Sequence, residues 1–143
     1  MNWKQEAAER LQRYEPMVRA LQNIPMEMVR LEEDVKQLRS RGSELEGICT
    51  TPSRGDGRLV DNIVMRQELK RVYEDACMWV EITDNALEAL TNEEKLVLFH
   101  LYVRPQRGAV DQLCEQLGLE QSSVYRKRDI ALWRFTLAMY GTA

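Results

Sequence analysis

Polar, aromatic and cationic side chains follow one another closely between residues 121 and 128 of this 143-residue chain. Gln121 and Ser122 donate and accept hydrogen bonds, Tyr125 adds an aromatic hydroxyl, and residues 126–128 form the consecutive cations Arg-Lys-Arg. Such groups read base edges in a groove of DNA, and clustered cations lie at phosphate distance. On a helix that begins here, the side chains expected at its exposed N-terminal end, where base edges are met, are Gln121, Ser122, Tyr125 and Arg126.

The residues just upstream have the spacing of a helix-turn-helix. Leu113, Leu117, Leu119 and Val124 can form a small core between two helices, and Gly118 permits the sharp turn and the left-handed cap that ends the first helix. We therefore predict one helix that contains Val110 to Leu117 and a second from Gln121 to about Tyr140. The second helix would be the recognition helix in double-stranded DNA.

A third helix is predicted before this pair. Thr91 to Glu94 has the residues of a capping box, in which a threonine accepts from the third backbone amide and a glutamate reaches back. The helix should continue through Tyr102 and stop before the turn signals of Arg104 to Gly108.

This C-terminal region resembles the sigma-factor region-four type of helix-turn-helix found in phage and prophage regulators of the ArpU and RinA kind. The resemblance covers about fifty residues: Leu-Thr-Asn-Glu-Glu-Lys-Leu-Val-Leu at 90–98, Leu-Cys-Glu-Gln-Leu-Gly-Leu at 113–119 and Ser-Ser-Val-Tyr-Arg-Lys-Arg-Asp-Ile-Ala-Leu at 122–132. It implies a DNA-binding transcriptional regulator that recognises late phage promoters or controls a prophage. The residues that it places at the bases are Gln121, Ser122, Tyr125 and Arg126, with Ser123, Lys127 and Arg128 nearer the phosphates.

The N-terminal residues carry a heptad pattern. Apolar positions at alternating steps of three and four put one stripe on a helix: Tyr14, Met17, Leu21, Ile24, Met28, Leu31, Val35 and Leu38. Pro25 favours a break, so we predict two helices, over 3–22 and 25–40. The glycine-rich stretch from Ser40 to Arg58 is predicted to be a linking loop, which its composition makes a candidate for disorder.

Periodicity resumes in a predicted central helix from Leu59 to Leu90. Its apolar seam runs through Met65, Leu69, Val72, Ala76, Trp79, Thr83, Ala86 and Leu90. Such a helix needs a partner, either the N-terminal helices in a hairpin or a second chain in a coiled-coil homodimer. The predicted fold is thus all-α, with a helical stalk before the helix-turn-helix and with domains at 1–57, 58–90 and 91–143.

Net charge at first argues against a nucleic-acid partner, because the chain has 20 Lys and Arg but 23 Asp and Glu. Residues 1–103, however, hold 14 basic and 19 acidic side chains, whereas residues 104–143 hold 6 and 4. DNA affinity depends on the cations that face phosphates. We therefore expect weak DNA binding per copy, with strong salt dependence.

Other residues favour neither catalysis nor a membrane. The single histidine, His100, has no nucleophile or metal-ligand cluster beside it in the sequence, and the three cysteines are too widely spaced for a metal pair or a disulfide framework. We expect no enzyme activity, no cofactor, no metal, no membrane segment and a cytoplasmic location. Alternative hypotheses are a helical adaptor that binds RNA polymerase or a phage assembly component, and a packaging protein of the terminase small-subunit type.

Overall fold

The structure, a computed structural model, describes residues 2–45 and 54–143, and every element in these ranges is helical. This confirms the all-α prediction. In the same ranges, no helix has the length and apolar character that a membrane span requires. The elements are α1 (Trp3–Leu45), α2 (Arg54–Glu88), α3 (Asn92–Leu98) with a π-helical turn at Phe99–Val103, α4 (Ala109–Leu117) and α5 (Gln121–Tyr140).

The chain forms two compact units. One unit combines Met1–Val18 with Met78–Ala143, and the other consists of Arg19–Cys77. The division predicted from sequence, at residues 57 and 90, follows helices and linkers, whereas these units follow contacts between residues far apart in the chain. The first unit contains all the residues that were predicted to contact DNA.

The predicted break at Pro25 is wrong, because α1 continues through this residue and also through Pro16. A proline inside a helix removes one hydrogen bond and strains the preceding turn. Here a helix of 43 residues has many other hydrogen bonds and a buried stripe to hold it on either side. The helices also extend into the predicted 40–58 loop at both ends, and residues 46–53 of that loop lie outside the described residues.

In the second unit, α1 packs against α2 through the heptad stripe. Ile24, Leu31 and Val35 are buried, as predicted. The seam of α2 was predicted wrongly in part, because Met65 and Val72 are 53% and 41% exposed.

A polar residue occupies the α2 seam in place of those apolar side chains. Asn62 is buried and its side-chain amide donates to the carbonyl of Leu31 at 2.9 Å, while its own oxygen accepts from Arg66 at 2.9 Å. A buried asparagine between two helices disfavours other registers, since any slip leaves its amide unpaired.

The first unit contains two clusters of buried apolar side chains. The larger one is formed by α1, α2, the end of α3 and the C-terminal half of α5, and its largest fully buried side chains are Leu11, Leu98 and Phe135. The smaller one joins α3, α4 and the start of α5 through Val97, Leu113 and Val124, each 0% exposed. α5 is therefore anchored twice, at different points along its length.

Candidate nucleic-acid interface

Thr91 is the N-cap residue of α3, as the capping box predicts. The Thr91 hydroxyl accepts from the backbone amide of Glu94 at 3.3 Å. The carboxylate of Glu94 does not show the expected return bond to the backbone, and instead accepts from the Thr91 hydroxyl at 3.0 Å. The helix then widens into the π turn, where the Arg104 amide donates to the Phe99 carbonyl at 2.8 Å.

A short turn joins α4 to α5, as predicted. Gly118 ends α4 with φ 64° and ψ 33°, a left-handed conformation that costs a glycine little. The next amide, of Leu119, donates back to the carbonyl of Cys114 at 3.2 Å. Leu117 and Leu119 then pack against the small cluster of Val97, Leu113 and Val124, so the turn and the first turns of α5 rest on an apolar core.

The first turn of α5 presents polar groups to solvent. Gln121, Ser122, Tyr125 and Arg126 are exposed, and Ser123 is half-buried. Ser122 and Arg126 lie four residues apart and therefore on one face of the helix. Glu120 is the N-cap residue, but its side chain makes no capping hydrogen bond.

The three consecutive cations differ in what surrounds them. Lys127 forms an ion pair with Glu93 of α3. Arg128 pairs with Asp129 at 3.1 Å and lies over the ring of Tyr125 at 5.0 Å. Arg126 makes no ion pair with any residue that the structure describes. The cations of this run are thus unequal, although in the sequence they look alike.

The charges of Arg128 and Asp129 also act on the hydroxyl of Tyr102 in the π turn. Burial raises the pKa of the Tyr102 hydroxyl; the positive charge of Arg128 acts in the opposite direction, and the carboxylate of Asp129 adds to the rise. The Arg128–Asp129 pair therefore faces a half-buried tyrosine on one side as well as solvent on the other.

Four of the six cations in residues 104–143 have carboxylate partners, and three of those partners come from earlier in the chain. Arg104 pairs with Glu15, Lys127 with Glu93 and Arg134 with Glu94. Among the residues that the structure describes, only Arg107 and Arg126 of this segment are left without an ion-pair partner. The folded segment consequently has fewer cations available to DNA phosphates than its sequence composition indicates.

Comparison with known proteins adds no relative. No protein-family model, curated protein or solved structure matches the chain. The chemistry of the region therefore rests on its own residues. Within the described ranges, no cluster of three or more His, Cys, Asp or Glu side chains could hold a metal ion.

Glu94 has a role in this region beyond the helix cap that the sequence predicts for it. Glu94 is 3% exposed, Arg134 donates to its Oε1 at 2.5 Å, and its Oε2 is buried with no hydrogen-bond partner among the described residues. The capping-box pattern identified its local role. Its pairing with a residue 40 positions later has no sequence signal, because it depends on how α3 and α5 pack.

The outward face of α5 changes character along its length. Beyond Arg126 it carries Ile130, Trp133 and Tyr140, which are 50%, 47% and 60% exposed. Their spacing continues the face of Ser122 and Arg126, because steps of three and four return to one side of a helix. The C-terminal half of α5 therefore offers apolar surface where the N-terminal half offers hydrogen-bonding groups.

Proposed function

We propose that this protein is a sequence-specific DNA-binding transcriptional regulator of phage or prophage type, which reads duplex DNA with the N-terminal half of α5. The observation that carries the proposal is the set of exposed hydrogen-bonding side chains at the start of α5, held on the Val97, Leu113 and Val124 cluster after a three-residue turn. An α-helix fits the major groove, where such side chains distinguish base pairs.

In this proposal Arg126 is the principal base-reading cation. It is exposed, it has no carboxylate partner among the residues that the structure describes, and it shares its face with Ser122. A free guanidinium can donate two bonds to a guanine without first breaking an ion pair. Gln121 and Ser122 complete the reading surface at the helix end that enters the groove.

The ion pairs of the region set the expected strength of binding. Among the described residues, Arg107 and Arg126 of the segment 104–143 have no ion-pair partner, and because Arg126 is assigned to a base, only Arg107 is left for a phosphate, so one copy should show a slope of about −1 in log affinity against log salt. If DNA displaces Glu93 and Asp129 from Lys127 and Arg128, these two cations also reach phosphates and the slope should approach about −3. A second copy on a neighbouring half-site would raise the affinity, as in regulators that bind palindromic sites.

Selection from a pool of random duplexes, followed by fluorescence anisotropy, tests this function. The selected duplex should bind more tightly than a shuffled one. Arg126→Ala should weaken binding to the selected duplex about tenfold or more. Arg39→Ala, which removes an exposed arginine of α1 in the other unit, is the matched control and should change the affinity little.

Two results would count against DNA recognition. One is an affinity for the selected duplex that equals the affinity for the shuffled duplex and does not respond to salt. The other is an equal loss in Arg126→Ala and Arg39→Ala, which would indicate a nonspecific charge effect rather than a reading surface.

The apolar stretch of α5 favours a second candidate, a helical adaptor that docks on a protein such as RNA polymerase. Ile130, Trp133 and Tyr140 form exposed apolar surface of a kind that protein interfaces bury. In this case Trp133→Ser should abolish binding to purified RNA polymerase and leave DNA affinity unchanged. Loss of DNA binding in Arg126→Ala, with polymerase binding absent from the parent protein, would favour the regulator that binds DNA alone.

A further inference from the structure

The first unit contains a cavity of about 440 Å³ beside α3 and the π turn. Its walls come from α1, the C-terminal end of α2, α3 and the π turn, and are mainly apolar. The apolar side chains that line it are Leu87, Leu96, Leu98, Phe99 and Val103. This volume lies within the range of about 300–1,000 Å³ that is usual for small-molecule sites. π-Helical turns also occur frequently at functional sites.

Two hydrogen-bond donors sit at the edge of this cavity. Asn92 and Lys95 both line it, and their spacing of three residues puts them on one face of α3. Lys95 is half-buried, yet neither side chain is bonded to any residue that the structure describes. A partly desolvated ammonium without a counter-ion attracts an anion more strongly than a solvated one does.

Two carboxylates next to Tyr14 of the cavity wall already have partners. Asp84 accepts a hydrogen bond of 2.5 Å from the hydroxyl of Tyr14, and burial together with this bond raises the pKa of Tyr14 to about 12. Glu15 is paired with Arg104, which also stacks over the ring of Phe99 at 5.5 Å. Lys95, the cation that lines the cavity, forms no ion pair with any residue that the structure describes.

We propose that this cavity binds a small carboxylic acid with an apolar tail. The carboxylate would accept from Lys95 and Asn92, and the tail would lie between Leu87, Leu98 and Val103. The apolar walls account for the tail, and the two donors account for the acid. This site is separate from the polar end of α5, so the proposal does not depend on DNA binding.

Calorimetric titration of the full chain with octanoate, compared with octanol, tests the site. Octanoate should bind saturably at one site per chain. Lys95→Met keeps the aliphatic stem and removes the charge, so it should weaken octanoate binding about tenfold and leave octanol binding unchanged. Lys95→Arg should retain most of the octanoate affinity. Lys70→Met, at an exposed lysine of α2, is the matched control and should bind octanoate as the parent does.

Three outcomes would overturn the proposal. The first is no saturable octanoate binding to the parent protein. The second is an equal loss in Lys95→Met and Lys70→Met, which would indicate general charge attraction. The third is a parallel loss of octanoate and octanol in Lys95→Met, because the apolar walls rather than the ammonium would then have changed. Asn92→Ala provides an independent reading and should weaken octanoate binding to a smaller extent than Lys95→Met.

Discussion

The two halves of α5 expose different kinds of side chain. The N-terminal half buries Val124 in the small cluster and exposes Gln121, Ser122 and Arg126, whereas the C-terminal half buries Phe135 in the larger cluster and exposes apolar side chains. One helix is thus packed against apolar clusters at two points along its length, while its outward face changes from polar to apolar. The residues that hold α5 in place are therefore different from those that are available to a ligand.

The largest effect is expected from the small cluster under the polar half. Leu113→Ala should lower the free energy of unfolding by about 2–5 kcal/mol, since Leu113 is 0% exposed and the change leaves a cavity. Trp133→Ala on the outward face of the apolar half should cost much less, because that side chain is 47% exposed. Urea unfolding of both variants measures the contrast. Equal losses would mean that Trp133 is packed and that the outward face is not a free surface.

The next effect concerns the ion pair that ties the apolar half to α3. Arg134→Met leaves the buried carboxylate of Glu94 without its cation and should lower the free energy of unfolding by about 1–3 kcal/mol, an amount moderated by the half-exposed position of Arg134. The additional change Glu94→Gln removes the unpaired charge and should restore part of the loss. Thermal unfolding at neutral pH checks this. A double variant less stable than Arg134→Met would contradict the role assigned to the pair.

Local signals in the sequence predicted the helices of this region well. Thr91 and Gly118 mark helix ends through bonds to neighbours within a few residues, so the start of α3 and the end of α4 could be predicted from residue type and spacing. The same is true of the apolar spacing that buries Leu113 and Val124. At the polar end of α5, the exposure of Ser122 and Arg126 follows from this periodicity alone.

Contacts between distant residues could not be predicted in this way. Nothing near Lys127 in the sequence indicates that Glu93 neutralises it, because the two residues are 34 positions apart and meet only when α3 packs on α5. The continuation of α1 through Pro25 is a similar case, since its cost is local and its compensation is spread over a long helix. Residues 104–143 likewise offer fewer available cations than their charge count indicates, because four of the six cations form ion pairs.

A smaller effect is expected at the start of the polar half. Glu120→Ser supplies a capping hydroxyl where the present side chain makes no capping bond, so stability should rise or stay within about 1 kcal/mol of the parent. The same change removes a negative charge next to the proposed DNA surface and should tighten binding to the selected duplex. Anisotropy and thermal unfolding together check this. Weaker DNA binding by a stably folded Glu120→Ser would place the reading surface elsewhere.

The smallest effect concerns Lys127, which belongs to the polar half by sequence but is tied to α3 by Glu93. Glu93→Gln should change the free energy of unfolding by no more than about 1 kcal/mol, because the carboxylate is mostly exposed. It should nevertheless raise DNA affinity about two- to fivefold and steepen the salt slope by about one, since Lys127 becomes available to a phosphate. Glu115→Gln, at an exposed carboxylate of α4, is the matched control. An equal gain in both variants would show that net charge, rather than release of Lys127, limits the binding of this half of α5.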